Sequence, residues 1–598
     1  MSRTFRGVPA RSASVLIVIV FMALLFAIQL INLQVVSAAA MNEESASKRA
    51  VPDVIKSVRG DIVDRNGEVL ATTDERYDVQ LSPKNTKVNG GSFYRKVEGG
   101  GIGTVEVTSA QAFEEIGAIT GQSGAEIQKI VDDALEEDPK SDFAYVKRGI
   151  DLSQLQQLKA LDVDWLTFAS HHKRVYPNGA VGGNLVGFSG ADEEAQAGIE
   201  LSQDECLAGV DGEEHYERSM DGVPLPGSVV TTREVQNGGT VELTIDRDLQ
   251  WQAQQIINTQ TESVGAEWGY LTIMDAKTGE LLAIAEDGSV DPNDVDASEP
   301  DKRDARSYIR PYEPGSTFKA VTAAALIDSG TATPTSQHLT PMRWIPEEGV
   351  TFGDSTIHDE MPWTLTGILT ESSNVGTAYF GTQMSNEERF EYYQKFGFGI
   401  STDSGMPMED SGLLYEPDEW DRQSVYNITF GQAISSTIIQ TAGAYQALAN
   451  DGVRIPPTLV KSCTSADGTV TTYDHGKPVR AVSEESADTV LRMLETVVTH
   501  GWYSDLAVIP GYRIAGKTGT AEQSDGEGGY RPDYVNSFAG IFPADDPQYV
   551  AVASIAFPSS GDGGTAAIAA FTESAEATIR AFHVPPSTGS LDPYPIEY

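Results

Sequence analysis

Glu313-Pro-Gly-Ser-Thr-Phe-Lys-Ala320 is the stretch that decides how this chain reads. Pro314 and Gly315 punctuate a loop immediately before a helix that carries Ser316, and Lys319 follows three residues on. Residues three apart share a helix face, so Lys319 sits beside Ser316. A serine hydroxyl is a weak nucleophile until a base takes its proton, and Lys319 is placed to be that base. The helix start also aims backbone N–H groups at the reacting centre. Two further triplets follow in order, Ser372-Ser-Asn374 and Lys517-Thr-Gly-Thr520. Ser372 and Asn374 offer a hydroxyl and a carboxamide, suited to relaying a proton and holding an amide. Lys517 with Thr518 and Thr520 offers a cation and hydroxyls, suited to gripping a carboxylate from a strand edge. Ile514 to Glu522 is short, β-compatible and glycine-flanked, so a substrate could approach the backbone around Gly519 closely.

Each triplet alone is weak, since a Ser-x-x-Lys arises about once by chance in a chain of this length. Ser45-Ala-Ser-Lys48 is such a decoy, and Lys277-Thr-Gly279 is a second copy of the third triplet. The latter lies within Asp275 to Ala285, reads as a hairpin turn with glycine at its tip, and precedes the serine. Order and local context separate the working set from the decoys.

The 598 residues give room for several domains, and 40% hydrophobic content suffices for ordinary cores. Arg3, Arg6 and Arg11 are followed by no charge before Glu43, and Val15 to Val36 is almost wholly apolar. That run is long enough to cross a bilayer, and the preceding arginines keep the N-terminus cytoplasmic with the rest outside. Ser37-Ala-Ala-Ala40 admits a cleaved signal peptide, but the apolar run is long for one, which favours an uncleaved anchor. Net charge is −45, and the first 42 residues contribute +3, so the exterior carries −48. Such acidity opposes nucleic-acid partners. Asp132-Asp133 and Glu136-Glu137-Asp138 read as solvated faces. Cys206 and Cys463 are far apart and fall in different expected domains, so a disulfide framework is not expected. His171-His172 has no metal-ligand spacing around it, and neither metal nor cofactor is implied. Gly99 to Gly103 lacks Lys-Ser/Thr and reads as a flexible loop, not a phosphate cradle.

After a stalk, Arg59-Gly-Asp-Ile-Val-Asp-Arg-Asn-Gly-Glu-Val-Leu-Ala71 sets the Asn66-Gly67 turn between two strands. Ile127, Ile130, Val131 and Leu135 show helical spacing. Arg174-Val-Tyr-Pro-Asn-Gly179 follows, and Thr244-Ile-Asp-Arg-Asp-Leu-Gln250 leads into a helix through Ile257. Ser537 to Pro543 and Val550 to Phe557 read as sheet strands, and Ala566 to Phe582 as a closing helix.

Over nearly its full length the chain resembles the class B penicillin-binding proteins. The three triplets carry that resemblance, together with Arg59 to Ala71, Arg174 to Gly179, Gly198-Ile-Glu200, Leu207-Ala-Gly209, Thr244 to Gln250, Gly431-Gln432 and Ala447 to Gly452. It implies a multidomain α+β chain: cytoplasmic tail 1–12, transmembrane helix 13–36, stalk 37–54, elongated pedestal (dimerisation-type) domain 55–240, transpeptidase domain 241–585 and tail 586–598. The transpeptidase domain would hold an antiparallel sheet between helical layers, as in serine β-lactamases. The implied reaction is D,D-transpeptidation. Ser316 attacks the carbonyl between two terminal D-alanines of a peptidoglycan stem peptide, with Lys319 as base. Ser372 passes the proton on, and Asn374 holds the amide. Lys517, Thr518, Gly519 and Thr520 bind the carboxylate, and the N–H groups of Ser316 and Thr520 form the oxyanion hole. A second stem peptide's amine then takes the acyl group, and β-lactams acylate Ser316. Glycan polymerisation falls to a separate partner, among other membrane proteins of cell-wall synthesis and division. The division-associated branch is favoured because the Arg59 motif follows the anchor closely. Ala433 stands where many relatives have glycine, and Gly501-Trp-Tyr-Ser504 departs from the usual small residues, so Trp502 could narrow an acceptor groove. Two alternatives use other logic. A carboxypeptidase or β-lactamase would pass the acyl group to water, which a pedestal and anchor argue against. A non-catalytic penicillin sensor or scaffold would be expected to carry more membrane spans and a zinc module, and a pseudoenzyme to have lost part of the motif set, of which none is lost.

Overall fold

A computed structural model describes residues 10–32, 50–96, 103–190, 194–217, 227–473, 475–524 and 529–598. Arg3, Arg6, Ser37 to Ala40, the Ser45–Lys48 decoy, most of the stalk and most of Gly99–Gly103 lie outside the described residues. These form two compact units, residues 1–58 with 209–237 and residues 59–208 with 238–598. In the first unit, α1 (Ala10–Ile31) is a 22-residue apolar helix, about 33 Å long at 1.5 Å per residue. That matches the hydrocarbon thickness of a bilayer, and its described side chains from Ser14 onward are exposed. The same unit holds an antiparallel sheet of Ala50–Ile55, Gly212–Glu217 and Val230–Arg233.

The second unit begins at the Arg59 motif. Asn66-Gly67 turns as its sequence demands, with Gly67 at φ 82° and the Asp64 carboxylate accepting from the Asn66 and Glu68 N–H groups. Past the turn, Val69–Leu81 pairs along its length with Leu166–Val175 and also with Ala144–Ile150. Helices Ser109–Thr120 and Gly124–Glu137 start on capping boxes at Thr108 and Ser123. Ile127 and Val131 project from the second helix into a separate small core with Phe113 and Trp165. Each such buried aliphatic contributes about 1.5–3 kcal/mol.

Arg59, Arg174 and Glu200 come from three distant segments and meet in one buried cluster. Glu200 is fully buried, with Arg59 Nε at 2.6 Å from Oε2 and Arg174 Nε at 2.6 Å from Oε1. Arg174 also donates to the Gly60 carbonyl at 2.6 Å. An unpaired carboxylate there would be very costly, and the two guanidiniums supply the charge and the donors together. The sequence pattern hid this pairing because its members are up to 141 residues apart.

Thr240–Leu243 runs parallel to Ile62–Val63 and antiparallel to Val460–Thr464. That register corrects the expectation about cysteines. Val241 lies opposite Cys463, and Gly239 donates to the Cys206 carbonyl at 2.7 Å. Cys206 and Cys463 are therefore brought together in one unit and form a disulfide, with Cα atoms 6.3 Å apart. Strand pairing closed a 257-residue separation that spacing alone could not reveal.

The catalytic half is built on a five-stranded antiparallel sheet. Its strands are β1 (Trp268–Asp275), β2 (Leu281–Glu286), β3 (Ala515–Ser524), β4 (Tyr530–Phe542) and β5 (Tyr549–Ala556), in the order β2-β1-β5-β4-β3. Lys277-Thr-Gly279 is the β1–β2 turn, with Gly279 at φ 76°, which disposes of that decoy. The helices around the sheet are α2 (Arg247–Ser263), α3 (Lys319–Asp328), α4 (Asn374–Gly381), α5 (Ile438–Ala449), α6 (Glu484–His500) and α7 (Gly563–Phe582). Alternation along β4 assigns its two faces. Phe538 and Phe542 meet Phe571 of α7, while Ser537 joins Ser554 and the Tyr312 hydroxyl on the other face. Beyond α7 the chain does not hang free. Arg492 of α6 holds Asp592 and lies over the Tyr594 ring. The Thr364 N–H donates to the Ile596 carbonyl at 3.0 Å.

Candidate active site

Ser316 lies in a 3₁₀ turn, Gly315–Phe318, that runs into α3. The sequence spacing predicts one α-helix carrying both Ser316 and Lys319; the structure instead divides them between the turn and the helix. The Lys319 N–H donates to the Ser316 carbonyl, an i to i+3 bond that keeps the two residues one tight turn apart. Gly315 makes this turn possible. It sits at φ 55°, and a Cβ there would lie 2.9 Å from Ala521 Cβ and 3.0 Å from the Thr520 carbonyl. On its other side the Gly315 N–H donates to the Gly431 carbonyl at 3.0 Å. A Cβ on Gly519 would meet Thr317 Cγ2 at 3.0 Å. The glycine of the third triplet therefore admits the nucleophile's own turn. Thr317 and Phe318 pin that turn from below: Tyr445 donates to the Thr317 carbonyl at 2.9 Å, and Phe318 packs edge-on against Tyr393 and Phe398.

Lys319 is fully buried. Its Nζ reaches the Ser372 carbonyl at 2.5 Å, Asn374 Oδ1 at 2.7 Å and Ser372 Oγ at 3.3 Å. The first and second triplets are thus joined through this one amine. Ser372 adopts φ 58°, a left-handed conformation that non-glycine residues hold only when their surroundings impose it. Lys517 on β3 is also fully buried, with its Nζ 3.3 Å from the carbonyl and hydroxyl of Thr518. Thr520 is exposed on the same strand.

Burial dominates the electrostatics. It pulls the Lys319 amine well below its ordinary range, Lys517 lowers it further, and Asp354 opposes both. Burial also brings Lys517 down to about 7, against a partly compensating Glu371 carboxylate. Burial thus shifts both amines toward their neutral forms.

Sequence reasoning missed the groups that hold these residues. Asp354 braces the start of α4 by accepting from Ser373 Oγ and the Val375 N–H, and Glu313 lies three residues before Ser316. The Glu313 Oε1 accepts from the Ala433 N–H at 3.3 Å, and burial raises this carboxyl to about 7. None belongs to a spaced motif, and only the folded chain brings Asp354 beneath Ser372-Ser-Asn374. Trp502 is 69% exposed and packs edge-on against the buried Tyr503.

A half-buried serine three residues before a fully buried lysine, whose amine reaches a second serine, beside a buried lysine on the edge strand of an antiparallel sheet, defines a serine acyltransferase of the penicillin-recognising kind. The family described as penicillin binding protein transpeptidase domain matches residues 269–576, and the penicillin-binding protein dimerisation domain matches 54–243. The chain is 36% identical to penicillin-binding protein PbpB of Mycolicibacterium smegmatis, covering 94% of this chain and 88% of that one. It is 27% identical to peptidoglycan D,D-transpeptidase FtsI of Escherichia coli, over 93% and 89% of the two chains. Among solved structures, penicillin-binding protein 3 of Mycobacterium tuberculosis complexed with ampicillin superposes with TM-score 0.69 at 30% identity, over 91% of this chain and all of that one. The chain belongs to the class B penicillin-binding proteins, with dimerisation and transpeptidase domains, and is a serine-type peptidoglycan D,D-transpeptidase.

Proposed function

We propose that Ser316 is the nucleophile, Lys319 its base, and that the roles of the remaining triplet residues follow from this pair. The observation that carries the reading is the Lys319 amine. A neutral amine has two protons and one lone pair. The Ser372 carbonyl and Asn374 Oδ1 accept the two protons, which leaves the lone pair to take the Ser316 hydroxyl proton. The Ser316 oxygen then adds to the penultimate D-alanine carbonyl, and the N–H groups of Ser316 and Thr520 receive the oxyanion, where one donor is worth roughly 3–4 kcal/mol. Ser372 delivers the proton to the departing D-alanine amine, while Asn374 holds the stem-peptide amide. Lys517, Thr518 and Thr520 bind the terminal carboxylate along β3, whose backbone is open at Gly519. In the second half an acceptor amine adds to the acyl carbon, its proton returns through Lys319, and the Ser316 C–O bond breaks.

The same reading extends to the rest of the chain. The matched family ranges support a pedestal over 55–240 and a transpeptidase domain over 241–585. The apolar α1 supports a single-pass anchor with the catalytic part outside the cytoplasm. The kinship with FtsI and PbpB supports work at division beside a separate glycan polymerase. β-Lactams bind at Ser316, as the ampicillin complex of the mycobacterial relative leads us to expect. The test is covalent labelling with a fluorescent penicillin. Peptide mapping places the label on Ser316, and Ser316→Ala abolishes it. A label on Ser372 or elsewhere would overturn the assignment.

A further inference from the structure

We propose that Asp354 and His358 are positioning residues of the acyl-transfer site: together they hold the Ser372–Asn374 turn against Lys319 and set a carboxylate charge within electrostatic reach of that lysine. The inference rests on the Ser316–Lys319 reading above and adds a pair that no triplet contains.

Asp354 is buried, and apart from its contact with His358 its carboxylate serves the second triplet and the helix that follows it. Its Oδ1 accepts from the Val375 N–H at 2.9 Å, and its Oδ2 accepts from Ser373 Oγ at 2.6 Å. Ser373 is the N-cap of α4, its hydroxyl accepting from the Gly376 N–H at 2.9 Å. Asp354 therefore serves both the cap and the first turn of the helix whose first residue is Asn374. A carboxylate suits that place, because a helix start presents unpaired donors and a partial positive charge. The arrangement clamps the chain on the C-terminal side of Ser372. On the other side, Ser373 N–H donates to the Ile368 carbonyl at 2.9 Å and Ser372 N–H to Leu369 at 3.2 Å. Held at both ends, Ser372 keeps its left-handed backbone, and that conformation turns its carbonyl and hydroxyl toward Lys319.

His358 completes the carboxylate. Its Nε2 lies 2.9 Å from Asp354 Oδ2, and its Nδ1 lies 2.6 Å from the Asp359 carbonyl. Both partners are acceptors, so either ring nitrogen finds an acceptor when it carries a proton. The ring also packs on Trp363 at 4.7 Å. The hydrogen-bonded pair has low exposure, 11% for the imidazole and 5% for the carboxylate side chain.

The charge has a second consequence. Lys319 faces Lys517 from β3, Ser372 and Asn374 from the second triplet, and Asp354 from behind α4. Of these, Lys517 favours the neutral amine and Asp354 the protonated one. Asp354 thus keeps Lys319 from losing its proton too readily, which preserves its basicity.

The test is the pH profile of Ser316 acylation by a fluorescent penicillin, measured on the full chain in detergent. Acylation needs neutral Lys319, so the rate falls on the acid side. Asp354→Asn is close to isosteric: its oxygen accepts from Val375, and its amide takes the place of the oxygen that faces Ser373 Oγ and His358 Nε2. The charge that favours protonated Lys319 is gone, so the acid limb moves to lower pH. His358→Gln leaves the Asp354 charge in place. It slows acylation about tenfold or more, through the lost charge-assisted hydrogen bond, and its limb does not move down. A purely structural role gives a uniform loss at every pH. Such a uniform loss in Asp354→Asn, an upward shift of its limb, or an unaltered rate in His358→Gln overturns the proposal. If thermal unfolding shows that Asp354→Asn does not fold, the His358→Gln rate decides alone. A parent protein that penicillin does not acylate at Ser316 would instead refute the reading on which the inference rests.

Discussion

Lys517→Ala separates the two tasks that the structure gives this lysine. Lys517 is fully buried on β3 and its amine hydrogen-bonds only to Thr518 among the described residues, with the Glu371 carboxylate only partly offsetting burial, so a substrate carboxylate would be its hydrogen-bonded charged partner. A desolvated charge-assisted hydrogen bond contributes roughly 1.5–3 kcal/mol, or about ten- to more than a hundredfold in rate. Acylation by a stem-peptide mimic ending in a carboxylate falls by that factor, and a matched amide-capped mimic falls less. Lys517→Arg restores only part, because a planar fork does not replace a compact ammonium in an enclosed site. The pH dependence has a definite sign. Burial brings this lysine to about 7, so its charge is largely present at pH 6 and largely lost at pH 8. The preference of the parent for the carboxylate mimic therefore shrinks as pH rises through about 7, and Lys517→Ala shows no such trend. Removing the charge also relieves the repulsion felt by Lys319, which raises its proton affinity and moves the acid limb of acylation to higher pH. The assay is the single-turnover acylation rate of the two mimics across that range. Equal slowing of both mimics would mean that Lys517 acts only through Lys319, and no slowing of either would remove the third triplet from the site.

Three further outcomes follow from the packing. Glu200→Gln leaves the buried Arg174 without a carboxylate while Arg59 keeps Asp204, and breaking such a pair costs about 3–5 kcal/mol; chemical denaturation of the full chain in detergent reads this directly, and a loss under about 1 kcal/mol would contradict the buried cluster. Cys206→Ser with Cys463→Ser, or simple reduction, lowers stability by about 2–4 kcal/mol, and a thermal midpoint indifferent to reductant would show that the bridge does not form. Gly431→Ala places a Cβ 2.1 Å from the Gly315 carbonyl at a backbone φ of 83°. Penicillin acylation should drop at least about tenfold while the fold survives, and a parent-like rate would show that the nucleophile's turn tolerates displacement.

What the sequence determined by itself was the chemistry and the order in which its parts arrive. The residues proposed as nucleophile, base, hydroxyl relay and cation sit in short local patterns, since a turn before a helix or a glycine in a strand depends on residues close in the chain. The Asn66-Gly67 turn, the Lys277-Thr-Gly279 hairpin and the apolar α1 were legible for the same reason. Tertiary structure decided whatever depended on residues far apart. The 3₁₀ form of the Ser316 turn is set by Gly431 and Ala521, which crowd Gly315 from other elements. The Glu200 triad and the Cys206–Cys463 bridge need strands and loops to converge across 141 and 257 residues. The Asp354–His358 pair has no signature in spacing, because its meaning lies in capping a helix that begins 20 residues later. Local sequence fixes backbone preference and functional groups, whereas burial, which tunes Lys319 and Lys517, exists only once distant segments have closed around them.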